Sequence, residues 1–426
     1  MHITAVQDFI DLLRGKRKPI LWWLVFQYKL NKKVQEIRKS RKKVKVAFLH
    51  MYITSCQHIP IFERMLEDEH FDPYFIVNPD VMRDKQNFDF QYNRTLTQLR
   101  EKYGEDRVLE GYDYETNTYK DFTNEFDIMT TSNPYEKMAH EYFRVSYWAK
   151  KYIPIFYISY FYMGRCWVTI NNLKAPTYDY LWKFFAENKY VVKLARKYQT
   201  LKGLNIEVAG YPKLDKMAQV QTKEKDYKSI IIAPHHLIGN SDTDIGCFLQ
   251  YADLLLELPK KYPDIYFVFR PHPMLETALR DNGFWSEEKT SEYYRKMSEY
   301  ENVEMSLEGD YLDVFANSDA LIHDCGSYAA EYLYTGKPCA YMLRESVNQK
   351  KTHTKFGMKC INSHYLIKNE ADFIDFIENV VIKGIDKKKE ERNKFAKNEV
   401  MFNYPNATEY IFNYLKKKLI IGDNND

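Results

Sequence analysis

The stretch Ala320-Leu321-Ile322-His323-Asp324-Cys325-Gly326-Ser327 places a short apolar run against a polar turn that ends in Gly-Ser, and an apolar helix-like segment, Tyr328 to Tyr334, follows it. This pattern reads as a buried parallel strand, a tight turn and a helix, with its polar residues at the carboxyl end of the strand. It occurs twice more upstream. Ile230 to Ala233 leads into Pro234-His235-His236, and Ile265 to Phe269 leads into Arg270-Pro271-His272-Pro273. Three such turns predict an α/β fold in which one rim of a parallel sheet gathers imidazole, guanidinium and hydroxyl groups, the place where open α/β sheets bind ligands.

Further strands are expected at Val303 to Leu307 and Cys339 to Met342, with helices at Ile245 to Leu258 and Tyr311 to Ala316. Thr335-Gly336-Lys337-Pro338 is a helix stop. Toward the amino terminus, Val44 to His50 reads as a first strand, followed by a helix through Phe62 to Leu66 and a strand at Tyr74 to Val77. Asp127 to Thr131, Ile153 to Ile158 and Glu207 to Pro212 are additional strand candidates.

A chain of 426 residues exceeds a typical single core. The polar connector Gln221 to Asp226 suggests a boundary near Val220. The expected organisation is a basic arm over residues 1–43, a Rossmann-like domain over 44–220, a second Rossmann-like domain over 221–405, and a terminal helix and tail over 406–426. The two domains are expected to face each other across a cleft. The helix Asn406 to Leu419 is expected to cross back onto the first domain.

A charged fraction of 28% with 45% hydrophobic residues argues against extensive disorder. The net charge of +3 is unevenly spread: Arg14 to Lys45 holds thirteen Lys or Arg against Glu36 alone, an excess of about 12 that leaves about −9 for the rest. Between those basic clusters, Leu21, Trp22, Trp23, Leu24, Val25 and Phe26 form a segment suited to an anionic membrane interface. The alternative is a solvated basic helix with one face docked on the body. The apolar stretch Ile20 to Tyr28 is well short of the roughly 20 residues that span a bilayer, and it lacks a small-residue cleavage site. Six cysteines without CxxC spacing suit a reducing compartment and argue against structural zinc. No nucleic-acid recognition motif accompanies the basic arm. The expected location is the cytoplasm, peripheral on the inner face of the cell membrane.

Taken in order, Gly210-Tyr211-Pro212-Lys213-Leu214-Asp215, Ala233-Pro234-His235-His236, Arg270-Pro271-His272-Pro273, His323-Asp324-Cys325-Gly326-Ser327 through Glu331, and Gly336-Lys337-Pro338 resemble the CDP-glycerol glycerophosphotransferase family of teichoic-acid and capsule enzymes. The resemblance covers about the second half of the chain in ordered motifs. It implies a GT-B fold, a CDP-glycerol or related CDP-polyol donor, a lipid-linked or polysaccharide acceptor at a membrane, and no cofactor or catalytic metal. It also implies that His272 is catalytic or stabilises phosphate.

The residues support a phosphate-bearing donor on their own terms. Gly326 and Ser327 open a helix after a strand, so backbone N–H groups and the hydroxyl can hold a diphosphate. Glu331, one turn on, can accept from ribose hydroxyls or be a helix-surface charge. Asp324 can touch the donor or cap the helix. His272 between two prolines is held at a strand end, and Arg270 offers a planar fork for phosphate or forms a structural ion pair. His235 and His236 fit a phosphate or acceptor contact; two adjacent histidines are more often one functional and one packing residue than two catalysts. A metal site would need a third ligand at a recognisable spacing.

Family members often carry a His-Gly turn after a strand of the first domain, where this chain reads Tyr157-Ile158-Ser159-Tyr160-Phe161-Tyr162-Met163-Gly164. The usual general base is therefore in question, and His58, in the loop after the first strand, is the replacement candidate, with a structural role as its alternative. The expected reaction is attack of an acceptor hydroxyl on the β-phosphorus of a CDP-polyol with release of CMP. A GT-B glycosyltransferase using a nucleotide sugar and a non-catalytic membrane scaffold are the other readings.

Overall fold

A computed structural model describes residues 18–55, 57–239, 241, 243–307 and 311–422 of the chain. Arg14, Lys16, Arg17 and Cys56, which entered the sequence reading, lie outside the described residues. The chain divides into two compact units. One comprises Met1–Tyr160, Ile170–Asp215 and Phe402–Asp426; the other comprises Phe161–Thr169 and Lys216–Met401.

The first unit is built on strands β1 (Val44–His50), β2 (Phe71–Val77), β3 (Val108–Glu110), β6 (Ile128–Thr131), β7 (Ile155–Ile158), β8 (Lys183–Ala186) and β9 (Ile206–Val208), with β4 (Tyr112–Asp113) and β5 (Thr118–Tyr119) forming a separate two-stranded hairpin. Its sheet runs β3-β2-β1-β6-β7-β8-β9, all parallel. The second unit carries β10 (Lys228–Ala233), β11 (Ile265–Phe269), β12 (Val303–Met305), β13 (Ala320–His323), β14 (Cys339–Met342) and β15 (Tyr365–Ile367). Its sheet runs β12-β11-β10-β13-β14-β15, again all parallel. Burial on both faces explains why these strands are apolar runs without alternation: Ile230, Ile231 and Ile232 are all buried, as are Leu321 and Ile322.

Both sheets are doubly wound. In the second, the strand order reverses between β10 and β13, so the connections leave in opposite directions and open a crevice outside the carboxyl ends of those two strands. In the first, the corresponding reversal lies between β1 and β6.

Two helices, one from each terminal region, pack onto the first unit. Helix Ile20–Ser40 buries Trp23, Phe26, Leu30, Val34 and Ile37. Gln27 donates to the Asp179 and Leu181 carbonyls at 3.1 and 2.8 Å, and Trp182 Nε1 donates to Asn31 at 2.9 Å. The two adjacent tryptophans therefore part company: Trp23 packs edge-on against Tyr180, with ring centroids 4.8 Å apart, while Trp22 remains partly exposed. At the other end, helix Ala407–Lys416 returns to the first unit, where Arg64 pairs with Glu409 at 2.7 Å and Lys416 with Asp68 at 2.6 Å. The Gly210-to-Asp215 motif does this joining. Gly210 sits at φ +91°, a backbone that disfavours any side chain, and the Asp215 carboxylate receives the Ala407 and Thr408 N–H groups that open the helix.

Several expected boundaries shift. The helix expected from Ile245 begins at Phe248, with Cys247 as its cap, and runs through Pro259 to Lys261. β12 stops at Met305, short of Leu307. β9 ends at Val208, and Pro212–Gln219 coils into 3-10 turns. The helix after Ser327 is α-helical only over Tyr328–Glu331 and tightens to 3-10 over Tyr332–Thr335, so it offers a weaker dipole than a full-length helix.

Candidate active site

At the reversal in the second sheet, three turns deliver the residues singled out above. His235 and His236 follow β10, Arg270 and His272 follow β11, and Asp324 to Ser327 follow β13. The His272 backbone N–H donates to the Pro234 carbonyl at 2.9 Å, tying the first two turns together. The three imidazoles form a tight triangle, with ring centroids 4.3 Å apart for His235 and His236, 4.8 Å for His235 and His272, and 4.0 Å for His236 and His272.

Their tautomers are set by the backbone. The Met274 N–H donates to His272 Nδ1 at 3.1 Å, and the Leu237 N–H donates to His235 Nδ1 at 3.3 Å. A neutral ring whose Nδ1 accepts carries its hydrogen on Nε2, so His235 and His272 both present an Nε2–H donor. Burial holds the rings neutral: His272 is lowered to about 3, His236 to about 4, and His235 lies well below the usual imidazole range, with the neighbouring imidazoles adding to the effect at His235 and His272. The nitrogens are close enough together for a metal ion. The two Nδ1 acceptors, however, leave Nε2 protonated on two of the three rings, which suits hydrogen-bond donation to phosphate oxygens rather than ligation.

Asp324 is fully buried and does neither of the things expected of it. One carboxylate oxygen accepts the His235 N–H and the other accepts the Cys247 N–H, each at 2.6 Å, so the group ties the β10 turn to the start of helix Phe248–Lys261 rather than meeting a ligand or capping its own helix. Burial outweighs these two bonds and pushes its pKa up to about 7. Glu331 is no surface charge: it is buried and accepts a hydrogen bond from the Tyr311 hydroxyl. Arg270 is likewise committed. Its Nη1 donates to Ser306 Oγ at 2.7 Å, its guanidinium lies 5.6 Å from the Tyr311 ring centroid, and Nε reaches the Tyr328 hydroxyl at 3.4 Å. Ser327 makes no capping bond to its own helix, and its Oγ lies 3.4 Å from Cys325 Sγ.

His58 immediately precedes helix Ile59–Leu66. It lies in the first unit, at 0% exposure, with Nε2 2.8 Å from His50 Nδ1 and Phe48 and Phe75 around the ring. An imidazole sealed this way, with its pKa held well down by burial, has no route to a substrate hydroxyl.

Arg165, which the sequence reading missed, crosses the β13 turn. A Cβ at Gly326 would come within 3.0 Å of its Cγ and 3.2 Å of its Cδ, so any larger residue there would have to push the arginine aside. Nothing in the local sequence signals the contact, because residues 161–169 join the second unit from a distant part of the chain.

The sequence profile of the CDP-glycerol:poly(glycerophosphate) glycerophosphotransferase family matches residues 168–417. The chain belongs to this family. Among solved structures, this glycerophosphotransferase is similar to the wall teichoic acid polymerase TagF soaked with CDPG, at 15% identity and TM-score 0.59, covering 97% of this chain and 98% of TagF. It is also similar to the UDP-GlcNAc 2-epimerase of Neisseria meningitidis bound to UDP-GlcNAc, at 15% identity and TM-score 0.55 over 88% and 100% of the two chains. A putative UDP-N-acetylglucosamine 2-epimerase of Listeria monocytogenes gives 14% identity and TM-score 0.59 over 90% and 98%. These likenesses identify the fold as GT-B. No curated protein matches the chain significantly by sequence.

Proposed function

We propose that the glycerophosphotransferase moves a polyol phosphate, glycerol phosphate in the first instance, from a CDP-activated donor to a hydroxyl of a surface polymer or lipid-linked acceptor, with release of CMP. The observation that carries this reading is the histidine triangle. Two fixed Nε2–H donors and a third imidazole stand at the sheet reversal beside the Gly326-Ser327 turn, an arrangement that stabilises charge developing on a phosphoryl group. The rings are neutral before substrate arrives, and a diphosphate beside them favours their protonated form. An imidazole with its affinity for protons raised in this way can take the proton of the attacking hydroxyl. His236, whose buried Nδ1 has no partner, is the ring of the three least committed to the backbone.

The acceptor's membrane setting is part of the same reading. No described helix is long and apolar enough to cross a bilayer. The outward face of helix Ile20–Ser40 nevertheless exposes Ile20, Leu21, Leu24, Val25 and Tyr28 beside Lys18, Lys29 and Lys32, the composition of a surface that rests in an anionic lipid interface.

A panel of CDP-polyols and nucleotide sugars, scored by the nucleotide released, tests the proposal. CMP released from CDP-glycerol only when an acceptor is present supports it. Turnover of a nucleotide sugar in place of every CDP-polyol overturns it in favour of glycosyl transfer.

A further inference from the structure

The rim described above supplies hydrogen-bond donors and one cation, Arg270, whose guanidinium N–H groups are turned to neighbouring hydroxyls. The three imidazoles are neutral, and Arg270 already serves Ser306, Tyr311 and Tyr328. The reaction needs more. When an acceptor oxygen bonds to the β-phosphorus, the bond from that phosphorus to the bridging oxygen breaks, and its electron pair leaves on the phosphate of CMP. The acceptor's proton passes to a rim imidazole. A diphosphate that already carries two negative charges thus ends with another on the leaving group, and a nearby cation lowers the barrier to that separation.

Arg165 has the geometry for the task. Its segment is anchored in the second unit by the Thr354 N–H, which donates to the Gly164 carbonyl at 2.8 Å, and by a bridge between Arg165 and His353. Its side chain lies across Gly326. Nη2 donates to the Thr243 carbonyl at 2.6 Å, while Nη1 is buried with no partner. Among the described residues, no carboxylate lies within ion-pair distance of it. The carboxylate whose charge it feels is Asp244, which accepts the Ser241 N–H at 2.8 Å, while its own charge acts on Asp324, whose two oxygens are occupied by backbone N–H groups. A guanidinium with a buried, unanswered N–H beside a Gly-Ser turn is an incomplete anion site.

We propose that Arg165 binds the donor diphosphate through Nη1 and neutralises the phosphate that departs with CMP. The role deepens the function proposed above and rests on it for the identity of the leaving group. It also gives the missing His-Gly turn a counterpart: the segment that lacks that histidine contributes a cation to the donor side, upstream of the residues matched by the family profile.

The test is titration of the full-length protein with cytidine, CDP and UDP, comparing wild type with Arg165→Gln and Arg165→Lys, and with thermal unfolding as the check that each variant folds. Arg165→Gln keeps a donor for the Thr243 carbonyl and removes the charge. We expect it to weaken CDP binding at least tenfold, to leave cytidine binding within about twofold, and to lower kcat with CDP-glycerol. Arg165→Lys should recover part of the loss, since it keeps the charge but not the fork. CDP binding by folded Arg165→Gln equal to that of wild type would overturn the proposal, as would an equal loss of cytidine and CDP affinity. If Arg165→Gln does not fold, Arg165→Lys decides: CDP binding and kcat both unchanged from wild type would count against the guanidinium contact, and a selective loss of CDP for it. Preference of the wild type for UDP, with that affinity lost in Arg165→Gln, would leave the diphosphate role standing and remove CDP-glycerol as the donor.

Discussion

The two sheets place histidine at equivalent points and treat it in opposite ways. In the first unit, β1 ends in His50, which meets His58 from the following loop; in the second, β10 runs into His235 and His236, which meet His272. The first pair is sealed at 0% exposure beneath Phe48 and Phe75, and each ring's outer nitrogen is buried without a partner. The second set is only partly buried, and backbone N–H groups turn two of its rings so that Nε2–H stays available. Topology supplies the position, whereas local packing decides whether an imidazole serves the core or a ligand. In the second unit two prolines around His272 and the Asp324 carboxylate hold the turns open. In the first, aromatic rings close over the pair.

Substitution sharpens this contrast most strongly at the two sets of rings. His272→Ala should lower turnover at least ~100-fold, the scale of a lost transition-state donor, while leaving the thermal midpoint nearly unchanged. His58→Ala should do the reverse. It removes a packed ring and strands His50, at a cost of about 2–4 kcal/mol of stability, while the specific activity of the folded fraction stays close to wild type. Activity assays paired with denaturant unfolding separate the two outcomes; loss of activity in His58→Ala without loss of stability would break the comparison.

Stability against pH probes both sets together. His50, His58, His235, His236, His272, His323, His353 and His364 are all lowered in the folded protein from 6.5, several to about 3 or 4, chiefly by burial. Between those values the unfolded chain binds more protons than the folded one, so stability falls as the pH falls below about 6.5. Asp324 acts with the opposite sign. Its pKa rises from 3.8 to about 7 on folding, a contribution present at low pH and lost as the pH climbs through that range. Asp215, also raised by burial, adds to Asp324, but the eight imidazoles outweigh these two carboxyls, and thermal unfolding from pH 8 down to pH 4 should show a steady decline. A flat profile would mean that the rings are not buried neutral.

A smaller effect is expected at Asp324 itself. Asp324→Asn presents an amide N–H2 to one of the two backbone N–H groups that the carboxylate now satisfies, which should cost about 1–3 kcal/mol and slow turnover by loosening the His235 turn. The smallest effect on catalysis belongs to the outer face of the first helix: Leu21→Glu with Leu24→Glu should weaken binding to anionic vesicles about tenfold and leave turnover on a soluble acceptor unchanged. Unchanged vesicle binding would remove the membrane contact from the proposed function.

How much of this was legible beforehand follows from how local each signal is. β10, β11, β13 and β14 were readable as apolar runs ending in polar turns, because strands buried on both faces need no alternation. β3, β8 and β15 were missed: Val108-Leu109-Glu110, Lys183-Phe184-Phe185-Ala186 and Tyr365-Leu366-Ile367 are too short to stand out without the neighbours they pair with. At the site, the residue types were visible and their commitments were not. That Asp324 spends both oxygens on backbone, that Glu331 is held by Tyr311, and that the Arg165 side chain lies against Gly326 all depend on partners remote in sequence. The double tryptophan shows the same limit in a helix, since only the docked structure reveals which ring faces inward.

The central claim is that the β10–β13 reversal binds a CDP-activated donor and that the histidine triangle drives transfer. Its most direct test is CMP release from CDP-glycerol in the presence of acceptor, measured side by side for wild type, His272→Ala and His58→Ala at matched folded concentration. Release is expected from wild type and His58→Ala, with a loss of at least ~100-fold in His272→Ala. Equal release by all three, or by none while a nucleotide sugar is consumed, would contradict it.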